Sequence, residues 1–201
     1  MSFISLNFVV LFACTFILYH TLPSRFRKAT LLTASCLFIG FYHLAFLITA
    51  LILTLTTFYL GKWIGQAKRE SGMKGIYFSG VCFLVVSWLA FRYADRLTNC
   101  HILFPLGISF YTFQAISYLT EIYWQEEEPE KSLPDFMIYM LFFMKFLSGP
   151  IERAGDMLPQ LKSCKATDYA SMVYGMRLIV VGLIKKLILA DSIAPYIDGV
   201  F

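Results

Sequence analysis

Long apolar runs recur along the whole chain, and they constrain its fold more than any other feature. About 17 to 25 consecutive apolar residues let one α-helix cross a bilayer, where the backbone has no water to bond. The sequence therefore predicts an all-α, polytopic transmembrane protein with about six to seven membrane helices. The apolar runs cover residues 3–19, 31–41, 44–60, 76–91, 102–123, 136–147 and 172–190.

Composition supports a membrane protein and argues against nucleic-acid binding. Of the 201 residues, 58% are hydrophobic and 15% are charged, whereas an ordinary soluble domain carries about 25% charged residues. The net charge is +4, but the basic residues lie in short segments between apolar runs and form no continuous basic face. The lipid bilayer is therefore the predicted partner, in a multi-pass protein of the cell (inner) membrane, and nucleic acid is not.

Two basic segments predict the orientation of the helices. The first holds Arg25, Arg27 and Lys28, and the second follows two spans later. Basic loops face the cytoplasm, so both segments are predicted to be cytoplasmic and the N-terminus to be outside. Because basic residues follow the first run instead of preceding it, that run is interpreted as an uncleaved span and not as a signal peptide. The second segment holds Lys62, Lys68, Arg69 and Lys74.

Cysteine and histidine spacing predicts no metal or redox site. No two cysteines are close enough for a C-x-x-C pair, and free thiols buried as small hydrophobes are favoured over disulfides. Each histidine lies at the edge of an apolar run without a ligand partner nearby, which favours anchoring or capping over catalysis. These residues are Cys14, Cys36, Cys82, Cys100, Cys164, His20, His43 and His101.

A polar stripe marks the fifth apolar run. At about 100° per residue, its polar residues fall on one narrow face of a helix. Unpaired polar groups are costly in lipid, so this face is predicted to point into the protein or into a wet cavity. Hydrogen bonding between helices and a substrate tunnel both remain open as explanations. The stripe consists of Gly107, Tyr111, Gln114, Tyr118 and Glu121.

The sixth run, 136–147, is too short to cross a bilayer untilted and is followed by a helix breaker. The sequence predicts a helix that is re-entrant or ends within the membrane. The charged residues that follow are predicted to line a cavity or to lie in an interfacial loop. The breaker is Ser148-Gly149-Pro150, and the charged residues are Glu152, Arg153 and Asp156.

Three further patterns predict local structure. The acidic run 126–130 is predicted to be a solvated loop. Gly61 and Gly65 form one G-x-x-x-G, a weak packing signal. The last apolar run contains basic residues, so it is predicted to line something polar or to lie at the membrane interface. Those basic residues are Arg177, Lys185 and Lys186.

Two motifs resemble the membrane-bound O-acyltransferase family. They are residues 104–114 (FPLGISFYTFQ) and 142–153 (FFMKFLSGPIER), the latter followed by 158–160 (LPQ). The nearest subgroup is the bacterial alginate O-acetylase and D-alanyl-lipoteichoic acid transferase type, which residues 182–201 also resemble.

The resemblance implies a partial ring of helices around a tunnel. It also implies transfer of an acyl or acetyl group to hydroxyls of a cell-surface or exported polysaccharide. The expected donor is an acyl-CoA or an acyl-carrier thioester, with no bound cofactor. The expected partners are the polysaccharide acceptor and an acyl carrier or a periplasmic acyltransferase.

The family's catalytic histidine lies in the second half of its sequence, and no histidine follows Arg153 here. The chain is therefore interpreted as one transmembrane domain, residues 1–201, that corresponds to the N-terminal half of such an enzyme and is inactive alone. Enzyme status stays open, with a non-catalytic scaffold or a transporter-like protein as the alternative. No catalytic residue is assigned. Tunnel-lining or motif-support roles are predicted for Ser109, Tyr111, Gln114, Ser148, Gly149, Pro150 and Arg153.

Overall fold

A computed structural model describes residues 6–67, 70–98, 107–146, 149, 151–163, 168–190 and 192–193. Every regular element in this part of the chain is helical, so the all-α prediction is confirmed. The helices are α1 (Leu6–Thr21), α2 (Ser24–Tyr42), α3 (Leu44–Gln66), α4 (Glu70–Thr98), α5 (Ile108–Tyr123), α6 (Leu133–Leu141), α7 (Ala154–Ser163) and α8 (Tyr169–Ile184), which continues as π-helix over Lys185–Ala190.

Two of the described helices are long and apolar enough to cross a membrane by length and composition. They are Leu44–Gln66, with 23 residues, and Glu70–Tyr93, with 24. The shorter apolar helix α1 has 16 residues. The predicted count of six to seven membrane helices therefore stays a prediction.

The boundary between α2 and α3 lies between the second and third apolar runs, 31–41 and 44–60. α2 ends at Tyr42, and His43 is extended, with φ −167° and ψ 136°. Its Nδ1 accepts a hydrogen bond from the Ala45 amide at 3.3 Å, which satisfies one of the amides left open at a helix start. The capping role predicted for this histidine is confirmed.

Helix α5 packs against α3, α4 and α6. Four members of its polar stripe, Tyr111, Gln114, Tyr118 and Glu121, are buried, so the prediction that the stripe points into the protein is confirmed. The two glycines of α3 make room for this packing. A Cβ on Gly61 would lie 2.7 Å from Cε1 of Tyr118, and one on Gly65 would overlap Pro129.

The chain divides into two units, Met1–Cys164 and Lys165–Phe201. In the second unit, α8 has no buried residue. The polar or interfacial role predicted for its basic residues stays a prediction, as does the single domain.

The three described cysteines are free thiols as predicted, but the prediction that they are buried is wrong, because none of the three is fully buried. Cys14 and Cys82 are exposed and Cys36 is partly exposed. The first two point outward from apolar helices, where lipid can solvate a thiol as well as a protein core does. Cys100 and Cys164 lie outside the described residues.

Candidate functional site

The second motif forms a hairpin, which consists of α6, α7 and the described residues between them. Ser132 caps α6 by accepting the Asp135 amide at 3.4 Å. Asp135 in turn binds Lys28 of α2, with its Oδ1 2.7 Å from the Lys28 Nζ. The start of α6 is therefore fixed to the start of α2.

Helix α6 ends at Leu141, six residues before the predicted end at Leu147, because two distant side chains take its next hydrogen bond. In a continuing helix the Phe143 amide would donate to the Tyr139 carbonyl. Instead, this amide donates to Ser35 Oγ at 3.2 Å, and Gln114 Nε2 donates to the Tyr139 carbonyl at 2.9 Å. Ser35 and Gln114 together end the helix within the protein.

The chain then reaches the other end of α5. The Tyr111 ring stacks on Phe146 with centroids 5.4 Å apart. Gly107 precedes α5 with φ +74°, and a Cβ there would overlap the Phe146 carbonyl oxygen. Phe146 thus lies against the beginning of α5.

The hairpin returns to the end of α5 from which it started. Gly155 lies against Glu127, and Lys162 Nζ lies 2.7 Å from Glu130 Oε2. Both glutamates belong to the acidic loop, residues 124–132, which joins α5 to α6. A path that enters and leaves at the same end is what the sequence predicts for a re-entrant segment.

A buried lysine lies inside the hairpin. Lys145 is 8% exposed, and its Nζ lies 3.4 Å from Glu152 Oε2, 3.1 Å from Met157 Sδ and 4.5 Å from the Tyr139 ring centroid. The Tyr139 hydroxyl donates to the Glu152 carbonyl at 2.9 Å. We name these four residues the Lys145 cluster. It holds a desolvated ammonium next to an aromatic face and one carboxylate, an arrangement that can stabilise negative charge.

Three predicted site residues, Tyr111, Gln114 and Gly149, meet at the hairpin. The buried Tyr111 hydroxyl has no hydrogen-bond partner among the described residues. Gln114 ends α6, as described above. The Gly149 amide donates to the Lys145 carbonyl at 2.9 Å, and a Cβ on Gly149 would lie 2.5 Å from Lys145 Cα.

Of the other predicted site residues, Ser109 lies on α5 and Arg153 lies in the hairpin directly before α7. Ser109 Oγ accepts from Trp88 Nε1 of α4 at 3.0 Å. Arg153 is exposed, and its carbonyl accepts the Asp156 and Met157 amides at 3.3 Å each, which starts α7. Ser148 and Pro150 lie outside the described residues.

Glu130 corrects the prediction of a fully solvated acidic loop. It is 3% exposed, and its Oε1 accepts the Lys131 and Ser132 amides at 2.9 Å each. Its own amide donates to the Tyr118 hydroxyl at 3.0 Å. Glu126, Glu127 and Glu128 are exposed as predicted. A run of like charges gives no sign of which member is buried, so the sequence could not identify Glu130.

The burial of Lys145 was not predicted either, although a lysine inside the apolar run 136–147 was a usable signal. Within the described ranges, no group of three or more histidine, cysteine or acidic residues could hold a metal. The candidate site therefore consists of the hairpin and the face of α5 that it contacts.

The fold and the site define a helical membrane protein with a buried polar hairpin, and comparison with known proteins shows which proteins it is similar to. The chain is 31% identical to the probable alginate O-acetylase AlgI of Azotobacter vinelandii, over all of this chain and 44% of that protein. It is 30% identical to the probable alginate O-acetylase AlgI of Pseudomonas aeruginosa, over all of this chain and 42% of that protein. Against a peptidoglycan O-acetyltransferase of Helicobacter pylori, the identity is 25% over 86% of this chain and 40% of that protein.

These relatives are of the membrane-bound O-acyltransferase type, and the similarity to the two alginate O-acetylases extends over all of this chain. The chain spans less than half the length of these three curated relatives. No protein-family model and no solved structure matches it.

Proposed function

We propose that this chain is part of a membrane-bound O-acyltransferase that moves an acyl or acetyl group to hydroxyls of a cell-surface or exported polysaccharide. The observation that carries this proposal is the similarity to alginate O-acetylases over all of the chain. A further relative is named for peptidoglycan, so two kinds of glycan occur among the relatives. The relatives are named as enzymes, which does not favour a scaffold or a transporter-like protein.

We also propose that the hairpin forms one wall of the substrate tunnel. Support comes from the two family motifs, which meet where Phe146 packs on Tyr111. The Tyr111 hydroxyl could donate to a substrate oxygen. The Lys145 ammonium could stabilise negative charge as the acceptor hydroxyl attacks the acyl group. The donor we propose is an acyl-CoA or an acyl-carrier thioester, delivered by an acyl carrier or passed on by a periplasmic acyltransferase.

Deletion of the gene that encodes this chain tests the proposed reaction. Ester-linked acetate should fall to background in the exported polysaccharide or in the peptidoglycan, and the unmodified gene should restore it. The measurement is acetate released by mild alkali from each purified polymer. The deletion of an unrelated membrane-protein gene serves as the control. Unchanged ester acetate in both polymers would contradict the proposal.

We propose a multi-pass arrangement of six to seven membrane helices in the inner membrane, with both basic segments in the cytoplasm. Two contacts support this orientation. Lys28, at the start of α2, binds Asp135, and Gly65, at the end of α3, lies against Pro129. Both basic segments therefore lie next to the acidic loop or the α6 start that follows it. Lys68 and Arg69 of the second segment lie outside the described residues.

Single cysteines test this topology in a variant without native cysteines. Arg25→Cys and Lys74→Cys should react with a membrane-impermeant maleimide only after lysis. Leu44→Cys, at the opposite end of α3, should react in intact cells whose outer membrane has been permeabilised. Labelling is read by gel shift. If Arg25→Cys and Lys74→Cys react from opposite sides, the topology is wrong.

A further inference from the structure

An apolar groove runs between α1 and α2. Its volume is about 430 Å³, within the range of about 300–1,000 Å³ common to small-ligand pockets. It is lined by Leu11, Cys14, Thr15, Leu18, Leu22, Phe26, Ala29, Thr30, Thr33, Ala34 and Leu37.

The lining of the groove is mostly apolar, and two of its three threonine hydroxyls are bonded within their own helices. Thr15 Oγ1 donates to the Leu11 carbonyl at 2.7 Å, and Thr30 Oγ1 donates to the Phe26 carbonyl at 3.0 Å. Because these hydroxyls are bonded within their own helices, they do not need partners from an occupant. The groove therefore suits a hydrocarbon chain.

The length of the groove matches one leaflet of a bilayer. Its α2 wall extends from Phe26 to Leu37, which at 1.5 Å per residue is about 16 Å. The hydrocarbon core of a membrane is about 30 Å thick, so one leaflet contributes about 15 Å. An acyl chain that enters at Phe26 would run the depth of its own leaflet.

Positive charge lies at the Phe26 end of the groove. The guanidinium carbon of Arg25 lies 4.8 Å from the Phe26 ring centroid, and that of Arg27 lies 5.4 Å from the Tyr19 ring centroid at the end of α1. Lys28 is engaged by Asp135. Arg25 makes no ion pair with any described residue. Its charge is thus available to a ligand at the mouth of the groove.

We propose that this groove binds one anionic phospholipid, with an acyl chain between α1 and α2 and the phosphate near Arg25 and Arg27. Basic pockets between membrane helices recognise anionic head groups in this way. The cationic mouth favours a phospholipid, whose phosphate carries a full negative charge, over a helix from a partner protein, whose C-terminal end carries about half a charge. The proposal does not depend on the proposed acyl transfer.

Cys14 provides a direct test, because its exposed thiol lines the groove. The protein that carries this chain is purified in mild detergent and mixed with phosphatidylglycerol or phosphatidylcholine. Modification by N-ethylmaleimide is then read at each cysteine by peptide mass spectrometry. With phosphatidylglycerol at about ten times its dissociation constant, Cys14 should react about tenfold more slowly, because only the unoccupied fraction reacts. Cys82, exposed on α4, should react at an unchanged rate.

Two variants separate specific binding from general lipid contact. Arg25→Gln should weaken phosphatidylglycerol binding about fivefold, the effect of one basic residue near a membrane surface. Protection of Cys14 at the same lipid concentration should then fall from about tenfold to about threefold. Lys131→Gln, at an exposed position of the acidic loop, should leave it unchanged. The proposal is overturned if both lipids protect Cys14 equally or if neither lipid protects it. It is also overturned if phosphatidylglycerol protects Cys14 in the Arg25→Gln variant as well as in the unmodified protein.

Discussion

Replacement of Gly107 by alanine should lower the free energy of unfolding by about 3 kcal/mol. The glycine has φ +74°, and a strained conformation of this kind costs a residue with a side chain about 1–3 kcal/mol. An added Cβ would also overlap the Phe146 carbonyl oxygen, and overpacking costs a further 1–3 kcal/mol or so. Unfolding by SDS in mixed micelles, followed by circular dichroism, measures the change.

Gly72→Ala is the matched control for this variant. Gly72 lies in α4, and an added Cβ there would meet nothing within 4 Å. Alanine is favoured over glycine inside a helix by about 0.8–1.0 kcal/mol, so this variant should be as stable as the unmodified protein or slightly more so. Equal stability of the Gly107→Ala and Gly72→Ala variants would show that the hairpin does not depend on close approach at Gly107.

Periodic patterns were sufficient to predict which face of α5 is buried. Tyr111, Gln114, Tyr118 and Glu121 are spaced by three or four residues, and this spacing depends only on the geometry of one helix. Of the two explanations for the stripe, hydrogen bonding within the protein and a substrate tunnel, the first accounts for two of its members. Gln114 and Tyr118 make hydrogen bonds between elements, whereas the Tyr111 hydroxyl has no partner among the described residues.

The end of α6 could not be predicted from its own sequence. Residues 142–146 are suited to continue a helix by local preference, and the helix stops because Ser35 and Gln114 take its hydrogen bonds. Ser35 is 108 residues from Phe143 in sequence. A local pattern contains no information about such a partner, so the sequence predicted a helix that continues to Leu147.

Helix α7 and the start of α2 were missed for a different reason. α7 is short, with Pro159 inside it, and proline usually indicates the end of a helix. α2 begins at Ser24, so Arg25, Arg27 and Lys28 lie in its first two turns. These charges were interpreted as a loop because a hydropathy run ends at charged residues, whereas a helix continues past the membrane surface.

In the Lys145 cluster, replacement of the acid, Glu152, should lower the free energy of unfolding more than replacement of the base, Lys145. Glu152→Gln leaves the buried Lys145 ammonium beside a neutral amide. Because the Glu152 side chain is 39% exposed, the expected loss is about 2 kcal/mol, below the roughly 3–5 kcal/mol of a fully buried ion pair. Lys145→Met removes the buried charge and keeps an unbranched side chain. Glu152, whose side chain is 39% exposed, can then be solvated, so a loss of about 1 kcal/mol is expected.

The double variant tests the cause of this difference. If the cost of Glu152→Gln arises from the unpaired ammonium, Lys145→Met should rescue it, and the double variant should be about as stable as Lys145→Met alone. The control pair is Lys131 and Glu128, whose side chains are 88% and 87% exposed at 3.8 Å. Lys131→Met and Glu128→Gln should each change stability by less than about 1 kcal/mol. Additive losses in the double variant at Lys145 and Glu152 would mean that the ammonium gains nothing from this carboxylate, and that the Tyr139 ring and Met157 hold it in place.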